Sequence, residues 1–249
     1  MTSNLDVKIP IEEATDKNKI LEIVCSPNMK HVATLDEVNN ISFWTTINQE
    51  QFFEKVKTIC IDNIRINENG EKIFAISNNK CISISLYRVD TYNFKIFDPE
   101  TEKEIPLTFP DWQKEIDFLS FTDGGSIIMV STRYYRAYIF TSKEKDNNIT
   151  WVCKSMIELK YFKKINITPK GKLIIFNDTI YEITMWDMEK LSANTRILID
   201  WSCTLEYIEI SDDEKLLFVC TKDKKTKETS VFTYSTETEI NISSCKFLY

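Results

Sequence analysis

The sequence predicts an all-β fold of about five repeated, four-stranded antiparallel sheets, on three observations. The first is a unit of grammar, clearest in residues 165–187, INITPKGKLIIFNDTIYEITMWD. It reads as a strand, a tight turn at Pro169-Lys170-Gly171, a second strand, a loop, and a third strand ending in Trp-Asp. Turn residues of this kind tolerate or preset the dihedrals that a chain reversal needs. The second is that this grammar returns. With the small polar residue before each turn as an anchor, the anchors are Ser26, Asn67, Thr122, Thr168 and Ser211, spaced 41, 55, 46 and 43 residues apart. One and three positions before each anchor the chain is always apolar: Ile23/Cys25, Ile64/Ile66, Leu119/Phe121, Ile165/Ile167 and Ile208/Ile210. That period of two lays alternate side chains on one buried face. The third is that Trp44, Phe140 and Trp186 all fall 18 positions after their anchors, in a third strand. Periods of roughly 40–50 residues with several short strands each are the signature of a β-propeller blade.

Taken in order, residues 1–19 alternate at Val7, Ile9 and Ile11 around Pro10. Proline restricts such a run to a sheet edge, so it reads as an arm or a ring-closing edge strand. The propeller-like array occupies 20–249, with units at about 19–57, 58–111, 112–160, 161–200 and 201–249. Unit one has its second strand at Val32-Ala33 and its outer strand at Phe52, Phe53 and Val56, with a short helix over 48–57 as the competing reading. Unit two has Ile73-Phe74-Ala75 as second strand and an insertion. Its third strand is either 82–89 or 92–97, and the Asp98-Pro99-Glu100-Thr101 turn favours the latter. Unit three carries a polar loop at 143–148 before an outer strand at 149–157, and unit five a charged loop at 222–228. Asp111-Trp112 and Asp200-Trp201 recur at one offset before their anchors, in the joints between units.

These units resemble degenerate WD repeats. Met185-Trp186-Asp187 and Ile96-Phe97-Asp98-Pro99-Glu100-Thr101 are the closest copies of that family's third-strand ending, and the resemblance covers about residues 20–249. The family's Gly-His dipeptide is missing, and the single histidine, His31, sits beside a turn. The hydrogen-bond network of well-formed WD blades therefore cannot be built, and apolar contacts between stacked sheets must carry the packing. The resemblance implies a non-catalytic scaffold that binds other proteins through loop faces. Seven blades are usual for that family, and the apolar last residues, 245–249, fit part of an incomplete seven-bladed ring better than a closed ring of five. Some large proteins with such propellers carry an ion-channel-type membrane domain downstream, so an N-terminal sensor or assembly module is the second reading.

Composition narrows the chemistry. Charged residues at 28% and hydrophobic ones at 43% are ordinary for a globular chain. A net charge of −7 argues against nucleic acid as a partner. Seven cysteines without a C-x-x-C pair read as buried, reduced thiols of a cytoplasmic protein, with no zinc site. No apolar run is long enough for membrane insertion, and the N-terminus lacks signal-peptide architecture. One histidine and no G-x-S-x-G leave little for nucleophilic catalysis. Gly124-Gly125 marks a hairpin turn and no phosphate loop, so no cofactor is expected. With 38 acidic residues a carboxylate pair is conceivable, which makes a five-bladed glycosidase-like enzyme the third reading.

The surface candidate is Thr132-Arg133-Tyr134-Tyr135-Arg136, between the second and third strands of unit three. In WD-like propellers that loop shares a face with the Asp-Trp joints. The expected partner-binding residues are Arg133, Tyr134, Tyr135 and Arg136 with Trp112 and Trp201, since arginines and aromatic side chains are the usual anchors of interfaces. The competing reading packs one tyrosine in the sheet, pairs the arginines with local acids, and uses both tryptophans as wedges between neighbouring units. For the tryptophans the wedge is the favoured use. The 222–228 loop reads as a solvated hairpin. Oligomeric state is left open by the sequence.

Overall fold

The structure, a computed structural model, describes residues 18–47, 52–60, 74–88, 91–108, 116–145 and 148–247. These form 21 strands in five sheets, with no helix among the described residues. The chain divides into two compact units, Met1–Met156 and Ile157–Tyr249.

In the first unit, sheet one is β1 (Ile20–Cys25), β2 (His31–Asp36), β3 (Asn40–Ile47) and β4 (Phe52–Cys60), antiparallel in chain order. Sheet two is β5 (Phe74–Ile76), β6 (Ile82–Arg88), β7 (Thr91–Asp98) and β8 (Lys103–Ile105). The short β9 (Leu107–Thr108) then crosses over. It pairs in parallel with the outer strand of sheet three, which is β10 (Phe118–Phe121), β11 (Ser126–Ser131), β12 (Arg136–Lys145) and β13 (Asn148–Glu158). In the second unit, sheet four is β14 (Lys164–Ile167), β15 (Lys172–Asn177), β16 (Glu182–Asp187) and β17 (Ser192–Leu198). Sheet five is β18 (Cys203–Ile210), β19 (Leu216–Asp223), β20 (Thr229–Ser235) and β21 (Asn241–Phe247).

One turn explains why the grammar repeats. In every sheet the first two strands are joined through a Ser or Thr: Ser26, Ser77, Thr122, Thr168 and Ser211. Its hydroxyl oxygen accepts the N–H of His31, Cys81, Ser126, Lys172 and Leu216 respectively, at 2.9–3.0 Å. Its carbonyl accepts the N–H three residues on, from Met29, Lys80, Gly125, Gly171 and Glu214. Each of those residues has a positive φ, between 58° and 83°. A type I turn closed by one left-handed residue keeps the twist of the flanking strands.

The same pattern corrects unit two. Its turn is anchored on Ser77, and Phe74-Ala75 belong to the first strand of the sheet, not the second. Asn67, Ile64, Ile66 and Ile73 lie outside the described residues. With Ser77 in place, the anchor spacings become 51, 45, 46 and 43 residues. The third strand is β7, as the Asp98 turn suggests.

The third-strand aromatics are equivalent by register. Trp44 faces Val32, Phe97 faces Ile82, Phe140 faces Ile127, Trp186 faces Leu173 and Tyr234 faces Leu217. At Trp44, Trp186 and Tyr234 the pairing with the fourth strand slips by a bulge. Phe140 is fully buried, whereas Trp44 and Trp186 are half-buried. Two other expectations need correction. The segment from Phe52 is strand β4 and not helical: its backbone pairs antiparallel with β3 along its whole length, from Ile47↔Phe52 to Asn40↔Cys60. In β1, Ile23 is 53% exposed and Val24 packs inward, so the apolar pair before the first anchor is not the buried face there.

Sheets stack face to face through apolar clusters. Ala33, Leu35, Ile41 and Phe43 meet Ile76, Ile82 and Ile84 between sheets one and two. Ile96 and Ile105 meet Phe121, Ile127, Tyr138 and Phe140 between sheets two and three. In the second unit, Ile174, Phe176, Ile183 and Met185 meet Leu205, Leu217 and Val219. The anchor turns are also clasped to one another. Asn28 N–H donates to Asn78 Oδ1 at 2.9 Å, Asn78 Nδ2 to the Asp123 carbonyl at 3.3 Å, and Lys170 Nζ to the Asp212 carbonyl at 3.1 Å. None of the seven cysteines is in a disulfide, and Cys25, Cys60 and Cys245 are exposed, contrary to the expectation of buried thiols.

Candidate functional site

The loops between second and third strands are built by side chains that cap their own backbone. The last residue of the second strand accepts turn N–H groups: Asp36 from Val38 and Asn40, Asn177 from Thr179 and Ile180, Asp223 from Lys225 and Thr226. In sheet three Ser131 takes that role toward Tyr134, at 3.4 Å. Asp117 fixes the start of the loop, accepting from both the N–H and the hydroxyl of Thr132 at 2.6 and 2.7 Å. On that base Arg133 is exposed, with its guanidinium 5.8 Å from the Tyr134 ring centroid, a cation–π pair. Tyr135 is 37% exposed with φ of 49°, Tyr134 is half-buried, and Arg136 opens β12 opposite Ser131. Trp112, and Asp111 beside it, lie outside the described residues.

Trp201 is not a wedge. It is 75% exposed at the tip of the joint from sheet four to sheet five. Its neighbours hold the joint: Asp200 Oδ1 accepts Ser202 N–H at 2.8 Å, and the Asp200 carbonyl accepts Cys203 N–H at 3.0 Å. That bond from Ser202 holds the Asp200 carboxyl below its usual range.

Lys224, in the hairpin between β19 and β20, reaches across to this joint. Its ammonium donates to the Trp201 carbonyl at 2.6 Å and to the Tyr181 hydroxyl at 2.9 Å, and stands 4.8 Å from the Tyr181 ring centroid. Tyr181 is the left-handed residue before β16, φ 53°, at the same offset from its anchor as Tyr135. Beside it Ile180 is exposed at the turn, while Leu198, 73% exposed at the end of β17, pairs with Glu182 on the opposite face of sheet four from Ile197. Lys163 is ion-paired with Asp178 at 3.0 Å, which raises its pKa above the ordinary lysine value. Sequence reasoning missed Ile180 and Tyr181 and read Lys224 as solvated. The shared offset of Tyr135 and Tyr181 was the available signal. Among the described residues no three His, Cys, Asp or Glu side chains converge to hold a metal ion, and no helix is long and apolar enough to cross a membrane.

Comparison with protein-family models and with curated proteins finds no match for this sequence. Solved structures do resemble it. KlHsv2 with loop 6CD replaced by a Gly-Ser linker superposes with a TM-score of 0.61 at 10% identity, over 91% of this chain and 66% of that one. Kluyvelomyces marxianus Hsv2 gives 0.59 at 8% identity, over 91% and 61%. A functionally unknown protein from Desulfotomaculum acetoxidans DSM 771 gives 0.58 at 13% identity, over 92% and 71%. The chain thus spans under two thirds of the length of the two Hsv2 structures. Hsv2 is a seven-bladed propeller-type protein, and the likeness gives this chain a propeller-like, all-β fold.

Proposed function

We propose that this chain is a non-catalytic protein-interaction scaffold, its five sheets serving as WD-like propeller blades and its loops carrying recognition. The observation that carries the reading is Trp201. An indole left 75% exposed on a hydrogen-bonded turn is a preorganised anchor, because little conformational entropy remains to be lost on binding. The loop 132–136 supports the same reading with an exposed arginine stacked on a tyrosine. Arg133, Tyr134, Tyr135, Arg136 and Trp201 are the proposed contact residues, four of them on turns and Arg136 at the start of β12. The test is affinity capture from cell extract with wild type, Arg133→Ala/Tyr134→Ala and Trp201→Ala, each first shown to unfold at the same denaturant concentration. Recovered partners should be lost from at least one variant. Identical recovery from all three would remove these loops as the site.

A further inference from the structure

We propose that the patch around Trp201 receives an acidic segment of a partner protein, in which a carboxylate stands next to one apolar side chain, and that Lys224 is the carboxylate's receptor. This rests on the scaffold reading above and adds the chemistry of the partner.

The first observation is the state of Lys224. An ammonium has three donors, and two are committed, to the Tyr181 hydroxyl and the Trp201 carbonyl. Neither of those acceptors is charged, and among the described residues no third acceptor lies within hydrogen-bond distance of the ammonium. Asp200 and Asp223 share the neighbourhood and keep their charge, but each is held in place as a cap, on Ser202 and on Lys225 and Thr226, and neither bonds the ammonium. A carboxylate from outside completes the ammonium's coordination with a charge-assisted bond.

The second observation is what surrounds the cation. Trp201, whose carbonyl holds the ammonium, is exposed at 75%, and Ile180, next to Tyr181 on a turn capped by Asn177, at 47%. A large apolar side chain on the partner covers them and dries the ammonium, which strengthens the ion pair inside the covered patch. A carboxylate and an apolar group side by side are the complement of a lysine and a tryptophan side by side.

An anionic lipid surface also offers negative charge and apolar depth. A lipid surface needs several cations facing one plane, whereas the lysines of this hairpin are interleaved with Asp223 and Glu228, which leaves room for one carboxylate at a time. One exposed indole with an ammonium held at its own backbone carbonyl fits a peptide of defined sequence better than a fluid surface.

The experiment pans the purified full chain against a displayed library of random dodecapeptides, then measures synthetic copies of the enriched sequences by fluorescence anisotropy. Enriched peptides should carry Asp or Glu within two residues of Trp, Phe or Leu. Binding should fall at least tenfold with Trp201→Ala, with Lys224→Met, and when the peptide's acids become amides, and should hold when its C-terminus is amidated. Rising salt should weaken it in the wild type, which decides the matter should Lys224→Met unfold. Neutral or basic enriched peptides, or binding indifferent to Lys224→Met, overturn this proposal and leave the scaffold reading standing. No enriched peptide, together with unchanged partner recovery by the loop variants, overturns both. Trp201-dependent cosedimentation with phosphatidylserine–phosphatidylcholine vesicles, without peptide enrichment, replaces the partner protein with a membrane.

Discussion

Thr195 Oγ1 donates to the backbone carbonyl of Thr236 at 3.0 Å, and both threonines are buried. The bond ties sheet four to sheet five, and Thr236 passes the link on through its own hydroxyl to the Glu214 carbonyl at 2.7 Å. Replacing Thr195 by the isosteric valine removes a buried donor while keeping the shape. It should destabilise the protein by about 1–3 kcal/mol, whereas Thr195→Ser should recover most of the loss. Urea denaturation followed by tryptophan fluorescence checks both; equal stability of the valine variant would show that the bridge does not form.

The aromatic residues should divide sharply by burial. Phe140 sits at 0% exposure in the cluster between sheets two and three, so Phe140→Ala should cost about 3–5 kcal/mol as a core cavity. Trp186 has the same register position but is half-buried, and its alanine variant should lose less. Trp201→Ala should stay within about 0.5 kcal/mol of wild type, as surface changes usually do. Denaturation midpoints of the three variants give the order directly, and a large loss at Trp201 would contradict its exposure.

Much of this fold was legible because its turns are specified locally. Thr122, Thr168, Ser26 and Ser211 each announce a turn that their own hydroxyls build. Unit two misled because Glu68-Asn69-Gly70 is the better turn by residue preference, while the working turn puts Lys80 in the left-handed position. Trp201 misled for another reason. A tryptophan near a joint suggests packing, but exposure is settled by tertiary neighbours, and here the indole is left 75% exposed. The meeting of Lys224 with Tyr181, 43 residues apart, depends on sheet stacking that no local pattern encodes.

His31 gives the protein an acid sensitivity above the carboxylate range. It is buried in sheet one, its ring 5.7 Å from that of Phe43, with Nδ1 3.0 Å from Thr45 Oγ1. Burial, then the charges of Lys80 and Lys30, push its pKa below the ordinary 6.5. The folded state thus binds the proton less readily than the unfolded one. Stability is full above about pH 6.5 and is lost as pH falls toward the folded pKa. Unfolding free energy measured between pH 7.5 and 5 should decline in the wild type and decline less in His31→Gln. Parallel slopes for the two proteins would assign the sensitivity to other groups.

The left-handed position of the anchor turn offers a test of the repeat itself. Met29 and Gly125 occupy that position in sheets one and three, with φ of 58° and 77°. Met29 is largely exposed, so its side chain contributes little packing, yet its Cβ bears the left-handed conformation, which disfavours an L-residue by about 1–2 kcal/mol. Glycine removes that strain and gives back part of it as unfolded-chain entropy. Met29→Gly should therefore stabilise the protein by about 0.5–1 kcal/mol. Gly125→Ala is the mirror experiment. No atom lies within 4 Å of the Cβ it would gain, so any loss is conformational and not steric. It should destabilise by roughly the same amount. Melting temperatures moving in opposite directions are the expected result. A shift in the same direction would show that the two turns do not share one geometry, and with it that the five sheets are not copies of one unit.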